Sequence, residues 1–184
     1  MIPEYAPNMI METALRLYGG NRRPSYEYAT NRVAPLLLMT AAHESGGFRW
    51  RRQVNHQGRP LREGLGAYGL TQVEYLTVDY LLNEYLPQRP SLFERMKRLM
   101  VDWGLASWRD GPPAMATVYQ IIQKPEGDIL SYALGRVWYL TDPHPIPEDV
   151  HGMAKYAKDV YNTHLGSATP TMYFNAYERF KHVL

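Results

Sequence analysis

The stretch Val33 to Phe48, VAPLLLMTAAHESGGF, decides how this chain is read. Leu36, Leu37, Leu38, Met39, Ala41 and Ala42 leave almost no polar face, which predicts a helix buried on several sides. Pro35 fits a first helical turn, so the firm helix starts near Ala34, within a longer segment that begins at Tyr26. The run then delivers a carboxylate, Glu44, and breaks into Ser45-Gly46-Gly47. An acid at the end of an apolar helix has two outcomes. It is a solvated helix-end residue that meets an arginine from the following Arg49-Trp50-Arg51-Arg52, or it faces a cleft. In a cleft, desolvation raises a carboxyl's pKa and keeps a proton available near neutral pH.

Beyond Glu44 the helical period disappears. Gly46 to Gly69 holds six glycines, and FRWRRQV alternates, so a small β-hairpin or an irregular loop is expected there. Elsewhere helical patterns dominate. They run over Pro7–Gly19, with Met9, Ala14, Leu15 and Tyr18 near one face, over about Gln72–Leu86, and over Ser91–Gly104, with Ser91 as N-cap. Four more follow: Pro112–Gln123, Gly127–Leu140, Pro147–Gly166 and Thr169–Val183. A proline-rich connector, Thr141 to Asp149, follows the second of these, and its Pro147 suits the opening of the next helix. The fold class is therefore mostly α. The organisation is one domain over 1–184, with 142–184 as a C-terminal helical extension packed on it.

Composition closes several alternatives. The chain has 184 residues, 45% hydrophobic and 21% charged, enough for a packed core. With 20 Lys+Arg against 18 Asp+Glu, charge alone does not argue for nucleic acid, and none is expected as a partner. Cysteine is absent, which removes disulfides, thiol catalysis and Cys-ligated zinc. His43-Glu44-Ser45-Gly46-Gly47 is not H-E-x-x-H, and the six histidines are scattered, so no metal and no cofactor is expected. Gly64 to Gly69 matches G-x-G-x-x-G, but no buried strand precedes it and no βαβ unit surrounds it. No apolar run of membrane-spanning length occurs, and the first residues show no secretory pattern. The 15 Tyr and 4 Trp suit a core, a carbohydrate cleft or a protein interface.

The pair Glu44-Ser45 followed by Gly66-Ala67-Tyr68-Gly69-Leu70-Thr71-Gln72 resembles the lysozyme superfamily, most closely the soluble lytic transglycosylases and related phage muralytic enzymes. The whole chain also resembles proteins of tailed phages, through Arg136, Tyr139, Leu140, Pro145-Ile146-Pro147, Gly152, Ala154, Tyr156 and Tyr161 to Thr163. The resemblance implies a lysozyme-like (transglycosylase-like) helical domain that cleaves the β-1,4 bond between N-acetylmuramic acid and N-acetylglucosamine in peptidoglycan. Glu44 would be the general acid/base. Ser45 would contact substrate, orient the acid or cap the helix end locally, and Tyr68, Gln72, Tyr161 and Asn162 would bind substrate. In that family the sugar's own N-acetyl group assists and an anhydro product forms. Glu63 or Glu74 would serve as a second carboxylate if the reaction were direct hydrolysis.

The implied setting is a phage virion. The protein would be made in the host cytoplasm, act in the periplasm or cell wall, and have other virion or tail proteins as partners. The alternative is a structural virion or tail protein with this fold and little or no activity. The chain departs from the transglycosylase pattern in three places. The segment after Glu44 is longer and basic, with Arg49, Arg51, Arg52, Arg59 and Arg62. Thr71 stands where Met is common. Tyr161-Asn162, the counterpart of a family Ala-Tyr-Asn segment, lies far toward the C-terminus.

Overall fold

The computed structural model describes residues 2–19, 24–55, 57–61, 66–162 and 166–184. It is mostly helical. The apolar run at its centre is α3, Ala34–Glu44, entered through a short α2, Tyr26–Tyr28, and a π-helical turn, Ala29–Val33. Every α3 residue from Ala34 to Ala42 is buried, and Pro35 sits in the first turn, where its missing N–H costs nothing. The one hydroxyl in this run, Thr40, is satisfied twice. It donates to Leu36 O at 2.7 Å and shares a hydrogen with the Tyr139 hydroxyl at 2.7 Å.

Four elements enclose α3. α1 (Ala6–Arg16) packs on it and on α7 (Asp128–Tyr139), which is buried along nearly its whole length. α9 (Pro170–Phe180) lies along α3, and α8 (Val150–Tyr156) braces α9. Thr169 caps α9 by accepting from Met172 N. The C-terminal segment thus supplies one wall of the central helix. Tyr173 is fully buried against it, and Phe180 meets Phe48 edge-on at 5.1 Å. A second group of helices, α4 (Tyr75–Tyr80), α5 (Pro90–Asp102) and α6 (Met115–Ile122), completes the α framework.

α3 ends where Ser45 caps it. Gly46, Gly47 and Phe48 all take positive φ, which reverses the chain within three residues. The loop returns through an isolated bridge between Arg52 and Tyr68 and ends in a two-residue antiparallel hairpin. In it β1 (Ala67–Tyr68) pairs with β2 (Val73–Glu74), Ala67 opposite Glu74 and Tyr68 opposite Val73. The turn between them docks on α7. Thr71 N donates to Ser131 Oγ at 2.9 Å, and Thr71 Oγ1 donates to Ser131 O at 2.8 Å. Gly69, at φ 76°, is obligatory here, since a Cβ would lie 2.5 Å from Ser131 Oγ and 2.7 Å from Ile122 Cγ1.

Three boundaries differ from the sequence reading. Helix resumes at Tyr75 rather than Gln72, because Val73 and Glu74 are taken by the hairpin. The α5 N-cap is Arg89, not Ser91, because Pro90 occupies the first helical position. Pro147 does not open α8. Asp149 does, its side chain accepting from Gly152 N at 2.8 Å. Among the described residues, no helix is long and apolar enough to cross a membrane.

Candidate functional site

The end of α3, the hairpin and the segment leading out of α8 enclose a cavity of about 470 Å³, within the range typical of small-ligand sites. Glu44 lines it, together with Gln72, Glu74, Trp138, Tyr161 and Asn162. Four of the sequence-predicted positions after Glu44, namely Gln72, Glu74, Tyr161 and Asn162, are thus brought to one opening with it from two separate places in the chain.

Glu44 is half-buried, and its hydrogen-bond partners among the described residues are neutral. The Tyr173 hydroxyl donates to Oε1 in a very short hydrogen bond, and the Asn162 amide donates to the same carboxylate. Asn162 is oriented for this, because its Oδ1 accepts from Lys158 Nζ at 3.1 Å and leaves the NH₂ group to donate. Among the described residues Glu44 belongs to no ion pair. Burial therefore dominates and pushes its pKa above the usual carboxylate value, against the smaller pull of Tyr173 and Asn162. The neighbouring His43 packs at 4.3 Å against the Tyr173 ring, tilted by 44°, and burial lowers its pKa, favouring the neutral imidazole.

The arginines that could have silenced Glu44 are used elsewhere. Arg51 grips Asp128, the first residue of α7, through Nε at 2.6 Å and Nη2 at 2.7 Å, and the Tyr5 hydroxyl adds a third hydrogen bond at 3.1 Å. Arg52 lies near the Tyr68 ring, and Arg49 and Arg59 are exposed. No described arginine or lysine lines the cavity, and Arg62 lies outside the described residues.

Gln72 is held by its own turn. It takes φ 49°, and its Nε2 donates to Gly69 O at 2.6 Å, leaving Oε1 without a partner among the described residues. Tyr161 donates to Thr71 O at 2.7 Å and packs on Tyr139 at 5.3 Å, so it joins the hairpin turn to the C-terminal half. Neither Ser45 nor Tyr68 is among the described residues lining the cavity. Ser45 is fully buried, donating to Ala41 O at 2.5 Å and accepting from Phe48 N at 2.7 Å, which makes it a helix-end brace with no hydroxyl left for a ligand. Tyr68 is also buried, packed on Tyr119 at 4.7 Å, and is a wall beneath the hairpin. Glu74 is exposed at the cavity edge, and Glu63 lies outside the described residues.

No protein-family model, no curated protein and no solved structure matches this chain. The site therefore stands on its own geometry. Sequence reading missed its closest partner, Tyr173, which is 129 residues from Glu44. The signal available was the amphipathic stripe of Tyr173, Phe174, Tyr177 and Phe180, which marks a buried face without saying what it covers. Trp138, fixed by its Nε1 donating to Val160 O at 3.1 Å, was one of many aromatics at core-like spacing. Among the described residues no three His, Asp or Glu side chains gather as a metal site.

Proposed function

We propose that this protein is a glycosidase of lysozyme-like fold that cleaves the β-1,4 linkage between N-acetylmuramic acid and N-acetylglucosamine in peptidoglycan, with Glu44 as general acid and then base. The observation that carries the reading is a carboxyl with an elevated pKa, in no ion pair among the described residues, on the wall of an open cavity large enough for sugar units. An alkoxide is a poor leaving group, so a proton must reach the glycosidic oxygen as the bond breaks. Protonated Glu44 supplies it. The resulting carboxylate is stabilised by the hydrogen bonds already aimed at it from Tyr173 and Asn162. It then takes a proton back, either from water or from a hydroxyl of the cleaved sugar, which gives the hydrolytic or the anhydro product.

The remaining wall fits a carbohydrate. Trp138 offers an aromatic surface, and Gln72 an unpaired amide oxygen for a sugar hydroxyl or N-acetyl N–H. Glu74 is solvated, unlike the catalytic carboxyl, and it shares the opening. With no second buried acid lining the cavity among the described residues, assistance from the substrate's own N-acetyl group is the favoured route. Through its resemblance to phage proteins we place the enzyme in a virion, with peptidoglycan as substrate and other virion proteins as neighbours.

The test is clearance of purified sacculi by wild type and by Glu44→Gln. Wild type clears them and releases muropeptides, and the variant is slower by about 10²–10⁴-fold. If neither clears them and the protein incorporates stably into particles, the scaffold role replaces this one. Analysis of the released ends for anhydromuramic acid separates the two product types.

A further inference from the structure

A second cavity, of about 460 Å³, opens where the start of α5 meets the end of α7, and it shares no lining residue with the Glu44 site. Two arginines line it. The Arg89 guanidinium lies 3.7 Å over the Tyr85 ring and donates from Nη1 to Tyr85 O at 3.0 Å. The Arg95 guanidinium lies 4.0 Å over the Tyr18 ring and donates from Nη2 to Tyr18 O at 2.5 Å. A third, Arg136, does not line the cavity; it is buried at 5% exposure, its Nε donating to Leu17 O at 2.9 Å. That carbonyl is the neighbour of the one holding Arg95.

Two guanidinium charges, Arg89 exposed and Arg95 partly buried, thus face one cavity with no carboxylate among its described lining residues. None of the three arginines belongs to an ion pair among the described residues, and Arg95 Nε is buried without a hydrogen-bond partner. Desolvating a cation without a counter-charge is unfavourable. The local sequence compounds this, because Arg89 is the N-cap of α5 and the first turn carries no acidic residue. Cations are disfavoured at that end of a helix. Arg89 and Arg95 each lie over a ring and are tied to one carbonyl, which holds the guanidinium in place and leaves further N–H groups without a partner among the described residues. Such violations of local rules mark places where a ligand supplies what the chain omits.

We propose that this cavity binds the phosphate group of a small phosphorylated ligand, with Arg89 and Arg95 as the two forks and the Ser91 hydroxyl, which also lines it, as a further donor. A phosphate dianion matches the accumulated charge better than a single carboxylate does. The cavity is larger than a bare phosphate needs, which leaves room for an organic body. The site does not depend on the chemistry at Glu44.

Calorimetric titration of the full chain with glycerol 3-phosphate tests this, against acetate and glycerol at constant ionic strength. Saturable binding of one glycerol 3-phosphate is expected, with acetate about tenfold or more weaker and glycerol silent. Arg89→Gln weakens binding about tenfold or more. Arg89→Lys, which keeps stem and charge and so preserves the fold, also weakens it, because the planar fork is lost. Arg59→Gln, in the exposed loop, binds as wild type. Absence of saturable binding, equal binding of acetate, or unchanged affinity in Arg89→Lys overturns the proposal.

Discussion

Glu44 and Asp128 are both helix-terminal acids withdrawn from water, and burial raises the pKa of each. Glu44 closes α3 and Asp128 opens α7. Their surroundings differ. Asp128 is fully buried and held by both arms of Arg51, whose guanidinium is in turn raised chiefly by its hydrogen bond to Asp128. We read that pair as ionised, since a bidentate fork with an added Tyr5 hydroxyl satisfies the charge. Glu44 has a phenol and an amide instead of a cation, and an opening in front of it. Burial alone therefore does not mark a reactive acid. A buried acid with a cation is a fastener, whereas one with neutral donors and a path to solvent keeps a proton that it can give away.

Removing the cation from the first acid should have the largest effect. Arg51→Ala leaves Asp128 sealed and uncompensated, and a loss of about 3–5 kcal/mol is expected by urea unfolding. Adding Asp128→Asn to that variant should recover part of the loss, because a neutral amide replaces the stranded charge. If Arg51→Ala costs nothing, the two acids do not differ in the way described.

Crowding the wall between them comes next. Gly69→Ala forces a Cβ into Ser131 and Ile122 at a positive φ. It should destabilise the chain by about 1–3 kcal/mol from overpacking, with left-handed strain added. Because the hairpin turn carries Gln72 and is bonded to Tyr161, the same change should weaken substrate binding at the Glu44 site while leaving the Arg51–Asp128 pair in place.

The smallest effect should have the opposite sign. A carboxyl whose folded pKa is raised binds its proton more tightly in the folded state than in the unfolded one. Its stabilising contribution is therefore present below the unfolded value, near 4.5, and is lost as pH rises through the raised folded value. Glu44→Gln removes that loss. Its melting temperature should equal or slightly exceed that of wild type at pH 8, with the gain vanishing below about pH 4.5, the ordinary Glu value. A Glu44→Gln variant less stable at pH 8 than at pH 4, relative to wild type, would contradict this.

The sequence made the helix and its acid readable because both signals are local. An unbroken apolar run needs burial wherever it lies, and Gly46-Gly47 ends a helix in any context. Gln72, Tyr161 and Asn162 were named through resemblance, and they meet at the cavity. What stayed illegible was everything set by packing between distant segments. Nothing in TPTMYFNAYERF says that Tyr173 reaches Glu44. Nothing in RWRR says that Arg51 turns to Asp128 and leaves Glu44 alone. Ser45 and Tyr68 sit inside the quoted motif, yet they point into the structure, one bracing a helix end and the other backing a hairpin.

The proton on Glu44 can be observed directly. Titration of its side-chain carboxyl by ¹³C NMR, in wild type and in Tyr173→Phe, should give a midpoint above the ordinary 4.5 and a higher one still in the variant, since the phenol's hydrogen bond favours the ionised form. A midpoint at or below 4.5 in wild type, or a fall on removing the hydroxyl, would mean that Glu44 is an ordinary ionised surface acid and cannot be the proton donor.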